Sequence, residues 1–166
     1  MLKLLIFFIL FVSAIVVAEE QVAVDGNQLC LPEEQVIFFC RAEHKIAGVC
    51  ASKNLSNLTG FAQYRVFDVG TNMIEFVFPE KPMPPGRNFI METQPLPGGI
   101  EVQIKFSNNG FLYIIHERDA PSMGEGFEGV SEIIVKRDEE ILDSIKCLND
   151  DSEVRRAGYE SFFTQD

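Results

Sequence analysis

The residues with the greatest capacity for chemistry in this chain are its four cysteines, Cys30, Cys40, Cys50 and Cys147. Consecutive cysteines are 10, 10 and 97 residues apart, so no pair has the C-x-x-C spacing that is typical of a zinc site. An even number of cysteines without that spacing favours two disulfide bonds and no metal. Three pairings are possible. We expect Cys40–Cys50 to join neighbouring strands and Cys30–Cys147 to tie the ends of the domain together.

The two histidines, His44 and His116, are the residues best suited to accept or donate a proton near neutral pH. A cysteine–histidine nucleophile pair needs a free thiolate, and the predicted disulfides use every thiol. A serine–histidine–carboxylate set stays open because serines and acids are plentiful, although no G-x-S-x-G segment is present. We expect His44 to be exposed in a polar connection between strands, and His116 to end a strand.

A glycine-rich segment, Gly124–Gly129, matches the letters G-x-G-x-x-G of dinucleotide-binding loops. That motif needs a helix whose N-terminus faces the phosphates, whereas the segments that flank this one are predicted strands. Glu125 and Glu128 would also repel a pyrophosphate. We therefore interpret the segment as a flexible loop, and the sequence predicts no cofactor.

The candidate binding site is the segment Phe106–Tyr113. Its Asn108-Asn109-Gly110 turn joins two strong strand segments, and Asn and Gly tolerate the positive φ angles of a tight hairpin. One interpretation is a tight hairpin with a tyrosine in the core. The other is a recognition loop on a rigid β scaffold. In the second case the binding residues are Ser107, Asn108, Asn109, Gly110 and Tyr113.

The charge of the chain narrows the partners that such a site could bind. Among 166 residues, 14 are Lys or Arg and 25 are Asp or Glu, a formal net charge of −11. Because phosphate recognition needs a basic surface, this balance argues against nucleic acid and against anionic membranes. Carboxylates bunched in turns and the absence of tryptophan disfavour a sugar-cleaving pair of acids. A basic protein is the partner that this charge would attract.

The N-terminal residues predict export. Lys3 precedes an apolar run, and Val16-Val17-Ala18 has the small residues of a signal peptidase site. The run is short for a membrane span of about 20 residues, which favours cleavage over anchoring. We therefore expect a periplasmic or secreted protein that leaves the membrane after cleavage. The expected divisions are a signal peptide at 1–18, an N-terminal extension at 19–29, a β domain at 30–148 and a polar acidic tail at 149–166.

Period-two alternation of apolar and polar residues dominates the predicted β domain. It is clearest at Ile100–Phe106 and recurs at Ala62–Val66 and Ile74–Phe78, whereas helical spacing is nearly absent. Six prolines between Pro79 and Pro97 predict loop or edge strand, and Arg118–Glu128 is predicted as a second long loop. The fold class expected is all-β, with about eight antiparallel strands in a sandwich or a closed barrel. Further strands are predicted at Val36–Cys40, Gly48–Ser52, Asn88–Thr93, Phe111–His116, Glu132–Lys136 and in the segment that ends at Cys147.

Several of these strand segments resemble a largely uncharacterised family of small exported, disulfide-bonded β proteins of Gram-negative bacteria. The resemblance covers residues 30–147 and departs from the family at Val66-Phe67, where Phe-Gly is usual, and at Asn109-Gly110-Phe111, where Gly-Gly-Tyr is usual. It implies a β fold and an exported location. In outline, Ser107–Tyr113 also resembles the S-G-x-x-Y-like loop with which periplasmic lysozyme inhibitors plug a lysozyme cleft. The segments that carry the family resemblance are Gln35–Cys40, Val49–Lys53, Gln63–Val66 and Ile74–Pro79.

These observations favour an exported, non-enzymatic binding protein, with inhibition of a basic lysozyme-like hydrolase as its specific expected role. The first alternative is an envelope hydrolase that uses a serine or a carboxylate together with His44 or His116. The second alternative is a structural envelope protein without a soluble ligand.

Overall fold

A computed structural model of the protein describes residues 29–56, 58–121, 127–148 and 153–154. The predicted signal peptide, nearly all of the extension and most of the tail lie outside these described residues. No helix within the described ranges has the length and apolar character needed to cross a membrane. The strands are β1 (Glu34–Arg41), β2 (Lys45–Ser52), β3 (Ala62–Asp68), β4 (Met73–Phe78), β5 (Ile90–Leu96), β6 (Gly99–Asn108), β7 (Phe111–Pro121), β8 (Phe127–Arg137), β9 (Glu140–Lys146) and β10 (Glu153–Val154).

The strands form two antiparallel sheets, in the orders β10-β1-β2-β3-β4 and β5-β6-β7-β8-β9. We call them sheet I and sheet II. Most neighbours in each sheet are consecutive in the chain, and only the two-residue β10 returns from far away to pair with β1. The all-β prediction is confirmed, and because the sheets stay unclosed the sandwich describes the fold rather than the barrel.

The core lies between the two sheets and follows from the alternation in the sequence. Val102, Ile104 and Phe106 of β6 point inward and are buried, as period-two patterning requires. Sheet I contributes inward residues from β1, β2 and β3 to the same core. Aromatic rings join the sheets at one end, where Phe106 stacks on Phe78 with ring centroids 4.6 Å apart. This packing gives the β6–β7 hairpin a rigid base.

The strand predictions are confirmed at several points. β7 begins at Phe111, where a strand was predicted, and β9 occupies the segment before Cys147. β5 contains Pro95 and is an edge strand, as the prolines predicted. The loop predicted at Arg118–Glu128 was wrong at both ends, because β7 runs to Pro121 and β8 begins at Phe127, whereas residues 122–126, which include most of the glycine-rich segment, lie outside the described residues. His116 therefore lies inside a strand and not at its end.

The predicted disulfide pairing was wrong, although the number of disulfides was right. Cys30 bonds to Cys50, and Cys40 bonds to Cys147. Cys40 faces the core between the sheets, whereas Cys50 lies on the opposite face of sheet I. The ladder pairs Cys40 with Ala47, and Cys50 is three residues farther along β2, so strand alternation directs the two sulfurs of the expected pair to opposite faces. Two disulfides are typical of a protein that folds in an oxidising compartment.

Candidate functional site

The predicted binding segment forms a tight hairpin. β6 ends at Asn108 and β7 begins at Phe111, so the turn consists of Asn109 and Gly110, whose φ angles are 51° and 80°. Positive φ at both central residues gives the two-residue turn that best fits the twist of paired strands. A Cβ atom at Gly110 would meet nothing within 4 Å, so the backbone angle rather than space favours glycine there.

Strand alternation separates the predicted binding residues between two faces. Ser107 is exposed and points away from the core, because the neighbouring Phe106 points inward. The Tyr113 ring stacks on the rings of Phe106 and Phe76, with centroid distances of 4.7 and 5.3 Å. Burial raises the pKa of the Tyr113 hydroxyl. The structure thus groups Ser107 and the turn at the rim, whereas Tyr113 belongs to the aromatic cluster between the sheets.

A groove of about 620 Å³ runs beside the turn, and we call it the hairpin groove. One wall is formed by Asn108 and Asn109, and the other by the segment 75–81 together with Met83. Most of the second wall is β4, the outermost strand of sheet I. Sequence reasoning found the hairpin wall and predicted the strand β4, but it did not place β4 beside the hairpin, because alternation predicts a strand without predicting its neighbour in space.

The hairpin groove combines aromatic surface with the carboxylates of Glu75 and Glu80 and with Lys81. Phe76 and Phe78 are half-buried, and Met83 and Glu80 are exposed. Lys45 Nζ donates a hydrogen bond of 2.6 Å to Glu75, and this contact raises the pKa of Lys45. Such a surface can pack apolar atoms on the rings and accept hydrogen bonds from cationic groups.

A second group of titratable side chains lies on the outer face of sheet II. His116 Nδ1 is 3.3 Å from an oxygen of Glu132, and its Nε2 is 3.4 Å from an oxygen of Glu101. Ser144 Oγ donates a hydrogen bond of 3.2 Å to Glu132. A nucleophilic serine has to contact the histidine that removes its proton, and here the hydroxyl contacts the carboxylate instead. The arrangement holds an imidazole between two carboxylates.

The other histidine lies elsewhere. His44 is in the turn between β1 and β2 of sheet I, and its side chain is 80% exposed, as the sequence predicted. Its nearest ionisable contact is Glu43, 3.6 Å away. The fold therefore places the two histidines on different sheets, in different surroundings.

A buried ion pair lies on the outer face of sheet I. Arg65 donates two hydrogen bonds of 2.7 Å to the two oxygens of Glu34, and further ones to the Leu29 carbonyl and the Gln63 side chain. Cys30, Cys50 and Glu34 lie close enough together to form a set of metal ligands. The sulfurs are bonded to each other, however, and Arg65 occupies both carboxylate oxygens. This cluster fastens the segment 29–34 to sheet I.

Comparison of the chain with protein family models, curated proteins and solved structures finds no match. The hairpin groove and the two ionic clusters are therefore the features from which function is inferred.

Proposed function

We propose that this protein is an exported, non-enzymatic binding protein whose hairpin groove binds a basic protein of the lysozyme-like hydrolase class. The observation that carries the proposal is the groove of about 620 Å³ between the Asn108-Asn109 wall and the wall that contains Glu75 and Glu80. Amide groups on one side and carboxylates on the other supply donors and acceptors, and Phe76 and Phe78 supply apolar surface between them.

The covalent frame supports an exported role. Two disulfides fit a periplasmic or secreted protein, as do the predicted signal peptide and the resemblance to exported proteins of Gram-negative bacteria. The two-residue turn on a disulfide-bonded sandwich is rigid, so little conformational entropy would be lost when a partner binds. A short, ordered turn of this kind keeps its wall of the hairpin groove in place while a partner binds.

The distribution of charge supports a basic partner. The chain has a net charge of −11, which accelerates the encounter with a cationic protein. The turn between β8 and β9 lies at the same end of sheet II as the β6–β7 turn, because successive antiparallel strands alternate in direction. Its residues Asp138, Glu139 and Glu140 add exposed carboxylates at this end. The contact of Ser144 with Glu132 rather than with His116 favours binding over hydrolysis by a serine nucleophile.

The test is binding to a basic lysozyme-like hydrolase, together with its inhibition, for the oxidised protein at low and at moderate salt. We expect saturable inhibition that weakens as salt screens the charges. Glu80→Lys reverses a charge in the groove and is expected to raise the Kd about tenfold or more, equivalent to about 1.4 kcal/mol.

The matched control is Glu33→Lys, which makes the same change in net charge at an exposed position outside the groove. We expect the Kd of this control to rise less than about threefold, because only long-range attraction is lost. Equal losses in both variants would mean that overall charge, and not the groove, determines binding. The absence of saturable binding at low salt would overturn the proposal.

A further inference from the structure

β4 is an edge strand with few of the features that prevent edges from pairing. Beyond β3 it has no strand partner in the described part of the chain, so one row of its backbone N–H and C=O groups borders the hairpin groove. The strand reads MIEFVF, with Glu75 as its single charged residue. Met73 and Ile74 are exposed apolar residues. Exposed edges with few charged residues are templates for an additional strand.

The other sheet edges differ from β4. β5 contains Pro95, which has no N–H to donate, and β10 has only two residues. β9 has charged residues at Glu140, Asp143 and Lys146. Charges, prolines and very short strands are the usual means of blocking an edge. A register shift interrupts the pairing of β3 with β4 beside Glu75, but Phe76, Val77 and Phe78 continue in regular register.

We infer that the partner adds an extended, lysine- or arginine-containing segment to the β4 edge as a further strand of sheet I. This inference rests on the proposed function and specifies how the hairpin groove holds its partner. Strand addition uses backbone hydrogen bonds for affinity and alternate side chains for specificity. The groove borders β4 over Glu75–Phe78, which corresponds to about 13 Å of extended chain, and β4 ends before Pro79, which follows a cis peptide bond.

The charges and the rings indicate what the added segment contains. Side chains on its inner side would cover Phe76 and Phe78, which are half-buried and face inward. Glu75 is already paired with Lys45, and Lys81 also lines the groove. Glu80 is therefore the carboxylate that a basic group of the added segment would reach, and the Asn108 and Asn109 amides lie on the opposite wall. A second copy of this chain is disfavoured as the occupant, because both copies have a net charge of −11 and repel each other.

The experiment uses the synthetic peptide Lys-Val-Lys-Val-Thr-Val-Lys and the oxidised protein, followed by amide NMR shifts and amide hydrogen exchange. The expected result is saturable binding with protection of β4 amides and shifts at Asn108 and Asn109. A peptide of the same charge in which the central Val is replaced by Pro cannot pair as a strand, and we expect at least a fivefold weaker interaction.

Two matched variants of the protein distinguish an effect at the β4 edge from an effect of overall charge. Ile74→Lys on β4 and Leu142→Lys on β9 make the same change at residues that are 48% and 47% exposed. We expect Ile74→Lys to weaken peptide binding at least fivefold and Leu142→Lys to leave it within twofold, because only the first adds a positive charge to the β4 edge.

The outcomes distinguish the two proposals. Peptide protection of β4 without binding of any lysozyme-like hydrolase would support the strand-addition inference and overturn the proposed function. Hydrolase binding with no protection of β4, by peptide or by hydrolase, would retain the function and overturn the inference. Equal binding of the proline peptide, equal effects of the two lysine variants, or formation of dimers in place of peptide binding would also overturn it.

Discussion

The outer faces of the two sheets differ in how they hold their charges. On sheet I, the segment 29–34 covers the face, and the Arg65 and Glu34 side chains are 9% and 1% exposed. On sheet II, the side chains of His116, Glu101 and Glu132 are 18 to 21% exposed, with no covering segment among the described residues. Each face thus holds a cluster of titratable side chains, but the cluster on sheet I is almost fully enclosed and the cluster on sheet II retains about a fifth of its exposure.

This difference in burial determines how much each cluster contributes to the stability of the protein. A charged side chain that is buried has lost its hydration and depends on its ion-pair partner instead. Removal of that partner therefore leaves the charge uncompensated. A charge at an accessible rim regains water when its partner is lost. Side chains of similar type therefore contribute different amounts to stability on the two sheets. The cause is the covering segment 29–34, which the Cys30–Cys50 disulfide attaches to sheet I.

The close approach of that segment depends on Gly48 in β2. A Cβ atom there would lie 2.6 Å from the Phe38 carbonyl oxygen and 2.8 Å from Leu29 Cδ2. Both distances are shorter than carbon atoms tolerate, so the missing side chain lets Leu29 pack directly on sheet I.

The largest difference between the faces is expected from loss of one carboxylate on each. Glu34→Gln leaves Arg65 buried without its counter-ion and should lower the free energy of unfolding by about 3–5 kcal/mol. Glu132→Gln on sheet II should lower it by about 1 kcal/mol or less. Urea unfolding followed by circular dichroism measures both, and equal losses would contradict the comparison.

A double variant sharpens the same point. Glu34→Leu combined with Arg65→Met removes both charges and retains apolar volume, so it should recover most of the stability that either single change removes. If the double variant were as unstable as the single ones, hydrogen bonds to Leu29 and Gln63, rather than burial of an unpaired charge, would be the dominant contribution.

Removing the disulfide that holds the segment 29–34 on sheet I is expected to have the next largest effect on stability. Replacing Cys30 and Cys50 by Ser removes a cross-link across 20 residues, which corresponds to about 3 kcal/mol on the chain-entropy model. Hydrogen exchange should show faster exchange at β2 and β3 amides and little change in sheet II. Uniformly faster exchange in both sheets would mean that the cover stabilises the whole sandwich and not one face.

Two glycine substitutions compare the packing of the sheets. Gly48→Ala should destabilise by about 1–3 kcal/mol, because Leu29 and the Phe38 backbone have to move. A Cβ atom at Gly129 in β8 would meet nothing within 4 Å, so Gly129→Ala should be neutral or stabilise by up to about 1 kcal/mol. Thermal unfolding measures both, and a neutral Gly48→Ala would show that the covering segment can move away without loss.

The smallest effect is expected at His116. His116→Gln keeps a polar side chain between Glu101 and Glu132, and it should cost about 1 kcal/mol or less at neutral pH. Its loss should also leave binding at the hairpin groove unchanged, because His116 does not line that groove. A larger loss of stability would mean that the outer face of sheet II depends on its charged contacts as strongly as the outer face of sheet I does.

Local patterns predicted the elements of this fold well. Alternation along Ile100–Phe106 correctly places Ile104 in the core, and the Asn109-Gly110 pair predicts the observed turn. These features depend on residues within a few positions of each other, so one stretch of sequence contains the information. The strand boundary at His116 was wrong because the polar residues that follow it in β7 continue the ladder with β6 and β8.

The sequence by itself determined the all-β class, the number of disulfides, the acidic character and the hairpin turn, because composition and short-range periodicity define each of them. Only the tertiary structure decided that Cys30 bonds to Cys50, that Arg65 pairs with Glu34 and that β4 lies beside Asn108 and Asn109. These contacts join residues 20, 31 and about 30 positions apart. Such pairs form only after bulges and register have set which face each side chain occupies, and no local pattern records that choice.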